Sequence, residues 1–468
     1  MRRLASLFLS TSLLLAVAAP LSAQYYKTYR FYDFGVGNAI NSSGQVALDL
    51  YNGNYQAYLW TNTGSRFLGA LGDYGSYASY ISDSGYVTGS SSVGSNPYAY
   101  AGFLWTPSGG MQNIGAPLGG TSGAGPVNNA GQVAAQSCTP SQDTCQAFFW
   151  SQATGGINIG ALNGDAYSVP YSLNNNGEIV GTSDSGYGST LSAFSWTLNT
   201  GIQPLPGFGG TITVPFSIND SGQIVGYSLY PDGTQRAALW SPDGNIQDLG
   251  TLPGDTESYA GYQNAAGHVV GFSYNFSGKG EWVGQNFFWT TQAGMTAIGA
   301  PYPQFIPIGF NNRDQILLYS RGACYLWSPS MALLRVTGCY DGDDGPWGFN
   351  DAGVLLTTKG NWGGVCCWEE ASPLMRVSLT SSQNPSQLGQ TVIFTATVSS
   401  IIGPPPDGEQ VNFFDGSKTI ASVPLTNGVA SVAASSLKAG NNNIHAEYVG
   451  DGNYFPNGSA RLVQVVNQ

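Results

Sequence analysis

Residues 214–250 read VPFSI-NDSG-QIVGYSL-YPDGT-QRAALWS-PDGN-IQDLG, and this stretch decides the fold. Four short apolar-rich runs alternate with three segments built from Asn, Asp, Pro and Gly, the pattern of four strands joined by tight turns. Asn219-Asp220-Ser221-Gly222 suits a type I turn, with Asn at its first position and Gly at its fourth. A Gly bulge after such a turn is a common way to close a hairpin. On this reading the Gly serves a left-handed backbone and does not mark a Ca²⁺ or phosphate loop.

The same grammar recurs along the chain. A Trp ending a short apolar run returns at Trp60, Trp105, Trp150, Trp196, Trp240, Trp289, Trp327 and Trp368, at spacings of 45, 45, 46, 44, 49, 38 and 41 residues. A second marker keeps nearly the same beat: Asn41 to Gly44, Ser82 to Gly85, Asn128 to Gly131, Asn174 to Gly177, Asn219 to Gly222, Asn264 to Gly267, a degenerate Asn311 to Asp314, and Asn350 to Gly353. Two markers in phase across eight units define a repeat. A four-stranded unit of this length is the size of a propeller blade. One blade cannot bury both its faces alone, so neighbours must stack, and the periodic Trp is expected to pack between them.

The expected fold is therefore all-β: an eight-bladed β-propeller over residues 24–372, then an immunoglobulin-like β-sandwich over 373–468. Seven blades is the count if the weak seventh or eighth unit is displaced. Tyr29 to Gly35 reads like a fourth strand placed ahead of the first unit and could complete the last blade, leaving no exposed edge. Leu374 to Val377 could serve instead, but residues 374–379 also read as the lead-in to the next domain.

The repeat resembles that of the HAF-repeat extracellular proteins of bacteria. The matching copies are Ile218-Asn219 through Gly222 to Val225-Gly226, and Asp248-Leu-Gly250-Thr-Leu252, with the likeness spanning residues 29 to about 372. The resemblance implies an extracellular location and a repeat architecture, and no chemistry. The family's signature His is absent, its place taken by Gln56, Gln146, Ser192 and Arg236.

After residue 373 the beat stops. Strict alternation in 391–398 and 409–414 points to half-buried strands, and seven such runs in about 95 residues suit an immunoglobulin-like sandwich. Asn384-Pro385, Gly389-Gln390, Val411 to Gly416, Ala439-Gly440 and Tyr448 to Tyr454 resemble the bacterial Ig-like repeat domains of surface proteins, which implies a spacer or adhesion module. Tyr448 to Tyr454 is read as a structural corner and turn.

The opening residues read as a secretory signal, 1–23: Arg2 and Arg3, an apolar run to Leu21, then small residues. Nothing later is long and apolar enough to span a bilayer, so a secreted or cell-surface location is expected. Glycine supplies 65 of 468 residues and charged residues only 9%, which suits strands in tight turns. The net charge of −12 and the lack of any basic cluster argue against nucleic acid as partner.

Six cysteines fit an oxidising compartment. Cys138 and Cys145 bracket a short polar loop and are expected to form a disulfide. Cys324, Cys339, Cys366 and Cys367 fall in the last two units, where one or both of the adjacent pair would bond an earlier partner. The chain has only two histidines, His268 and His445, in different domains. A His-based triad or zinc site is hard to build from them.

In a four-stranded blade the loop between strands two and three and the loop entering the next blade share one face. Variation among units concentrates there, as in 91–102, 137–146, 183–192 and 273–286, and variable loops on a rigid scaffold are where binding usually resides. The non-periodic Trp282, Trp347 and Trp362 are assigned to these loops, near the acidic run Asp341, Asp343 and Asp344. Together the six make a candidate ligand-binding patch, with polysaccharide or a surface protein as partner. No cofactor is expected. Ca²⁺ is the one ion the acidic run would take, although it lacks the full D-x-D-x-D-G spacing and reads more plainly as a solvated loop. The leading function is thus a non-catalytic binding or structural repeat protein, and the alternative is a carbohydrate-active propeller enzyme using paired carboxylates.

Overall fold

The structure, a computed structural model, describes residues 35–468 apart from 187–189, 277–281, 299–305, 321–322, 330, 337–345, 352, 354, 360–364, 368–375, 400–403 and 451–456. Eight antiparallel blades follow one another at 35–67, 76–113, 122–160, 167–204, 213–248, 257–297, 306–336 and 346–367. The first seven each have four strands, and the eighth has three among the described residues. Blade five shows the pattern: Thr213–Ile218, Ile224–Leu229, Gln235–Trp240 and Ile246–Asp248 pair in sequence order. Eight blades are formed among the described residues, so the seven-bladed alternative is set aside. The segment 29–34, assigned to ring closure, lies outside the described residues. Arg376–Ser381 forms the first strand of the C-terminal unit, so that part of the rival closing strand belongs to the sandwich.

The turn after each first strand forms as its sequence requires. In blade five Gly222 N–H donates to Asn219 O at 3.0 Å, and Asn219 N–H to Gln223 O at 3.0 Å. Gly222 sits at φ 81°, a conformation glycine adopts without strain. The degenerate seventh turn puts Asp314 at φ 58° in the same place. Periodic Trp60, Trp105, Trp150, Trp196, Trp240 and Trp289 are buried and Trp327 half-buried, while Trp368 lies outside the described residues. Trp289 packs with Val225, Ala237 and Leu239 of the preceding blade, so the tryptophans fill the inter-blade core as expected.

Polar side chains fasten the blades. Ser76, Ser122, Ser168 and Ser258 accept from the N–H of Ala57, Gly102, Ala147 and Ala237 in the preceding blade, and donate to the carbonyls of Gly69, Gly115, Gly160 and Gly250. A second set, Ser91, Ser137, Ser183, Ser228 and Ser273, accepts from N–H groups in the connections between blades, Leu252 among them. The Leu-Gly-x-Leu repeat is thus the connector that the next blade's two serines hold. Buried hydroxyls satisfied at both ends in this way carry no desolvation penalty for an unmade bond.

The first strand of every blade carries a register shift at one place. It falls between Gly37 and Ala39, Ala78 and Tyr80, Pro170 and Ser172, Pro215 and Ser217, Ala260 and Tyr262, Pro307 and Gly309, and Pro346 and Gly348. Blade three shows it between its pairs Val127–Val133 and Ala124–Ala135. Such a bulge leaves one extra residue unpaired and bends the strand. The repeated bend sits on the innermost strands, which neighbour one another around the ring.

The chain divides into two compact units, the first ending at Leu374 and the second running from Met375 to Gln468. The second has a three-stranded sheet, Arg376–Ser381, Val392–Ser399 and Val429–Ala434, facing a larger one that includes Gln410–Asp415, Lys418–Pro424, Gly440–Tyr448 and Leu462–Asn467. Alternate residues of both sheets, Val392, Phe394, Ala396, Val411, Phe413 and Ile444 among them, bury one core. Tyr448 is buried and donates its hydroxyl proton to the Glu409 carboxylate.

Candidate functional site

The two ends of the propeller differ in chemistry. At the turn end, each buried Asn does two jobs. Asn174 Oδ1 accepts from Asn176 N–H and Glu178 N–H at 3.1 and 2.9 Å. Its Nδ2 donates to Asn219 O of the next blade at 3.1 Å. The same forward bond runs from Asn41 to Ser82, Asn128 to Asn174, Asn219 to Asn264, Asn264 to Asn311, Asn311 to Asn350 and, closing the circle, from Asn350 to Asn41 at 2.9 Å. Blade two has Ser82 in place of Asn, and there Ser84 Oγ donates to Asn129 O instead. The next residues form an outer tier: Asp83, Asn175, Asp220, Asn312 and Asp351 accept from N–H groups of the preceding blade. These amides and carboxylates are therefore engaged in holding blades together.

Between blades six and seven the pattern changes. His268 Nδ1 lies 2.7 Å from Asp314 Oδ1, which also accepts from Asn264 Nδ2 at 2.8 Å. At the equivalent junctions Gln45, Gln132 and Gln223 lie against Gly85, Gly177 and Gly267. The pair replaces Gln and Gly together. His445 lies in the second unit, stacked on Phe414 with ring centroids 4.9 Å apart.

The loop end carries a cleft of 980 Å³ lined by the first strands of blades one to four and by second-to-third-strand residues such as Tyr98 and Gln142. It opens where the innermost strands carry small residues, Ser79, Gly123, Ala124 and Gly125. The equivalent bulge positions of blades four and five hold Tyr171 and Phe216, whose ring centroids are 6.4 Å apart. Tyr77, Tyr80, Tyr98 and Tyr100 line the cleft, with Tyr98 85% exposed.

One carboxylate stands among these rings. Asp49, on the second strand of blade one, is only 7% exposed. Its Oδ1 accepts from Ala78 N–H at 2.7 Å and its Oδ2 from Asn38 Nδ2 at 2.8 Å. Burial pushes its pKa up to about 6, although both hydrogen bonds pull the other way. Burial also raises Tyr77, with Tyr100, Asp49 and Tyr55 adding to the shift as near neighbours. No Lys, Arg or His lines the cleft among the described residues.

The residues singled out from sequence fall as follows. Cys138 and Cys145 form the expected disulfide at the ends of paired strands, and Cys324 is also disulfide-bonded. Trp282 opens the third strand of blade six, opposite Phe276 at the loop end of the hairpin. Trp347 is not in a second-to-third-strand loop. It lies in the first strand of blade eight, at the bulge between Pro346 and Gly348. Trp362, Asp341, Asp343 and Asp344 lie outside the described residues. Of the six, Trp282 and Trp347 alone fall among the described residues. Elsewhere in that set no group of three or more acidic, His or Cys side chains could hold a metal ion. Sequence reasoning passed over Asp49 because VALDLY reads as an ordinary strand. The signal was positional: other units place Ser90, Gln136, Thr182, Tyr227, Phe272 or Tyr319 there, and no other carries an acid.

The chain is a β-propeller followed by an Ig-like sandwich. Residues 379–467 match the family Bacterial Ig-like domain (group 3), which establishes the class of the second unit. No curated protein matches the sequence. Solved structures similar to the chain include dipeptidyl peptidase 4 of Porphyromonas gingivalis, at 8% identity and TM-score 0.49, covering 79% of this chain and 65% of that one. A streptogramin B lyase is similar at 10% identity and TM-score 0.41, covering 74% and 99%. The β-propeller domain of the trilobed protease from Pyrococcus furiosus is similar at 12% identity and TM-score 0.40, covering 63% and 96%. At these levels none brings its chemistry to this chain. No helix among the described residues is long and apolar enough to cross a membrane.

Proposed function

We propose that this chain is an extracellular binding protein without catalytic activity, in which the propeller presents a ligand site on its loop face and the Ig-like unit acts as spacer. The observation that carries the proposal is the tyrosine-lined cleft, framed by variable loops on a scaffold fastened blade to blade. Concave sites lined by apolar and aromatic side chains with a few fixed polar groups are the usual form of small-ligand pockets. Aromatic rings stack on the apolar faces of sugars, which makes polysaccharide the ligand of choice. The support for binding without bond cleavage is that the described lining holds one carboxylate, whereas glycoside hydrolysis uses two about 5–9.5 Å apart.

A polysaccharide panel tests this, with the mature protein assayed with and without Ca²⁺ beside Tyr80→Ala/Tyr98→Ala and Trp282→Ala/Trp347→Ala/Trp362→Ala. Binding lost in the tyrosine variant supports the cleft, and binding lost only in the tryptophan variant moves the site to blades six to eight. Release of new reducing ends would make the protein an enzyme and end the proposal.

A further inference from the structure

The cleft combines features that select one chemical class. Four phenol rings are among its lining residues, its one described charge is a carboxylate, and no cationic side chain lines it among the described residues. A buried carboxylate is ordinarily paired with a cation or neutralised. Asp49 has no described cationic partner and reaches the cleft with only a small part of its surface, and its two described hydrogen bonds leave about half of a carboxylate's acceptor sites unused. Asn38 and the Ala78 N–H fix the group against the junction of blades one and two, so its acceptors are already oriented. Aromatic rings around a cationic ligand contribute through their negative faces. The whole chain, at −12, attracts polycations over longer range.

We propose that the cleft binds an amino-sugar polymer carrying free ammonium groups, with Asp49 accepting from one ammonium while Tyr77, Tyr80, Tyr98 and Tyr100 pack against the sugar rings. This deepens the polysaccharide reading above and rests on it. Tyr98, at the lip, meets the chain first, and Tyr77, whose chain neighbour Ala78 donates its N–H to Asp49, borders the ammonium position. An N-acetylated or neutral sugar offers Asp49 hydroxyl or amide donors but no charge. A uronic acid would place a second anion in the cleft and is excluded by repulsion.

Isothermal titration of the full mature chain at pH 7 should be run against four probes: glucosamine hexamer, its fully N-acetylated form, cellohexaose and spermidine. The glucosamine hexamer is expected to bind at least tenfold more tightly than the other three. Asp49→Asn should remove that preference while thermal unfolding shows a folded propeller, and Tyr98→Ala should weaken all sugars without changing their order. Between pH 6 and 4, where the sugar amines are fully charged, affinity for the glucosamine hexamer should fall as Asp49 takes up a proton. Equal affinity for glucosamine hexamer and cellohexaose, unchanged in Asp49→Asn, overturns the ammonium assignment and leaves the polysaccharide reading standing. Spermidine binding as tightly as the glucosamine hexamer overturns the sugar assignment. Failure of every sugar to bind overturns both.

Discussion

Asp49→Asn should make the propeller more stable at neutral pH. Burial raises the Asp49 pKa from 3.8 to about 6. A shift of about two units corresponds to about 3 kcal/mol by which the folded state disfavours the ionised form. The amide removes that charge at almost the same volume and can still accept from Ala78 N–H. Its NH₂ would then face the Asn38 Nδ2 now bonded to Oδ2, and losing that hydrogen bond costs about 1 kcal/mol. The net expectation is a gain of about 1–2 kcal/mol at pH 7.5. Below pH 6 the wild-type carboxyl is protonated in the folded state, while the unfolded chain stays ionised down to about pH 4. Wild-type stability therefore rises as pH falls from 7.5 towards 4.5, and the advantage of the variant shrinks over the same window. Urea unfolding followed by tryptophan fluorescence at both pH values, with disulfides intact, measures this. A variant less stable than wild type by 1 kcal/mol or more at pH 7.5 would show that Asp49 is a structural ion, and the reasoning from burial would be wrong.

Asn174→Ala should cost about 2–3 kcal/mol, because it leaves two backbone N–H groups without their acceptor and takes one of the two donors from the Asn219 carbonyl. The exposed Asn176→Ala should cost under about 1 kcal/mol in the same urea assay. Replacing Cys138 and Cys145 by Ser opens a loop of sequence separation 7, for which chain entropy gives a loss of about 2–3 kcal/mol, read as a lower denaturation midpoint relative to the oxidised wild type. His268→Gln and Asp314→Gly should each destabilise alone and partly rescue one another, since together they restore the Gln–Gly pairing of three other junctions. A double-mutant cycle with a coupling below about 0.5 kcal/mol would show the pair to be independent.

The strand grammar, the eightfold beat and the buried tryptophans were legible because period-two runs and turn residues act locally. What stayed hidden depends on neighbours in space. Asn219 declared its turn role in sequence, but not its bond to Asn264, which lies 45 residues away. Asp49 looked like the polar member of an alternating strand, and only the stacked second blade makes it buried. Trp347 was misplaced among the loops, whereas it lies in the first strand of blade eight. Counting back from the turn would have placed it, since Trp347 precedes Asn350 by three residues as Phe216 precedes Asn219 and Tyr171 precedes Asn174.

The asparagine bonds all run in the same sense around the ring, and the one from Asn350 back to Asn41 has the same chemistry as those between blades adjacent in sequence. As far as these links go, the circle has no first member. The polypeptide could start at any blade and finish at the one before it, and the turn-end belt would be unaltered. A rotated gene whose product begins at blade four should rebuild the same belt. Selection on such a gene would then be free to move the termini, and whatever they attach to, without remaking the scaffold.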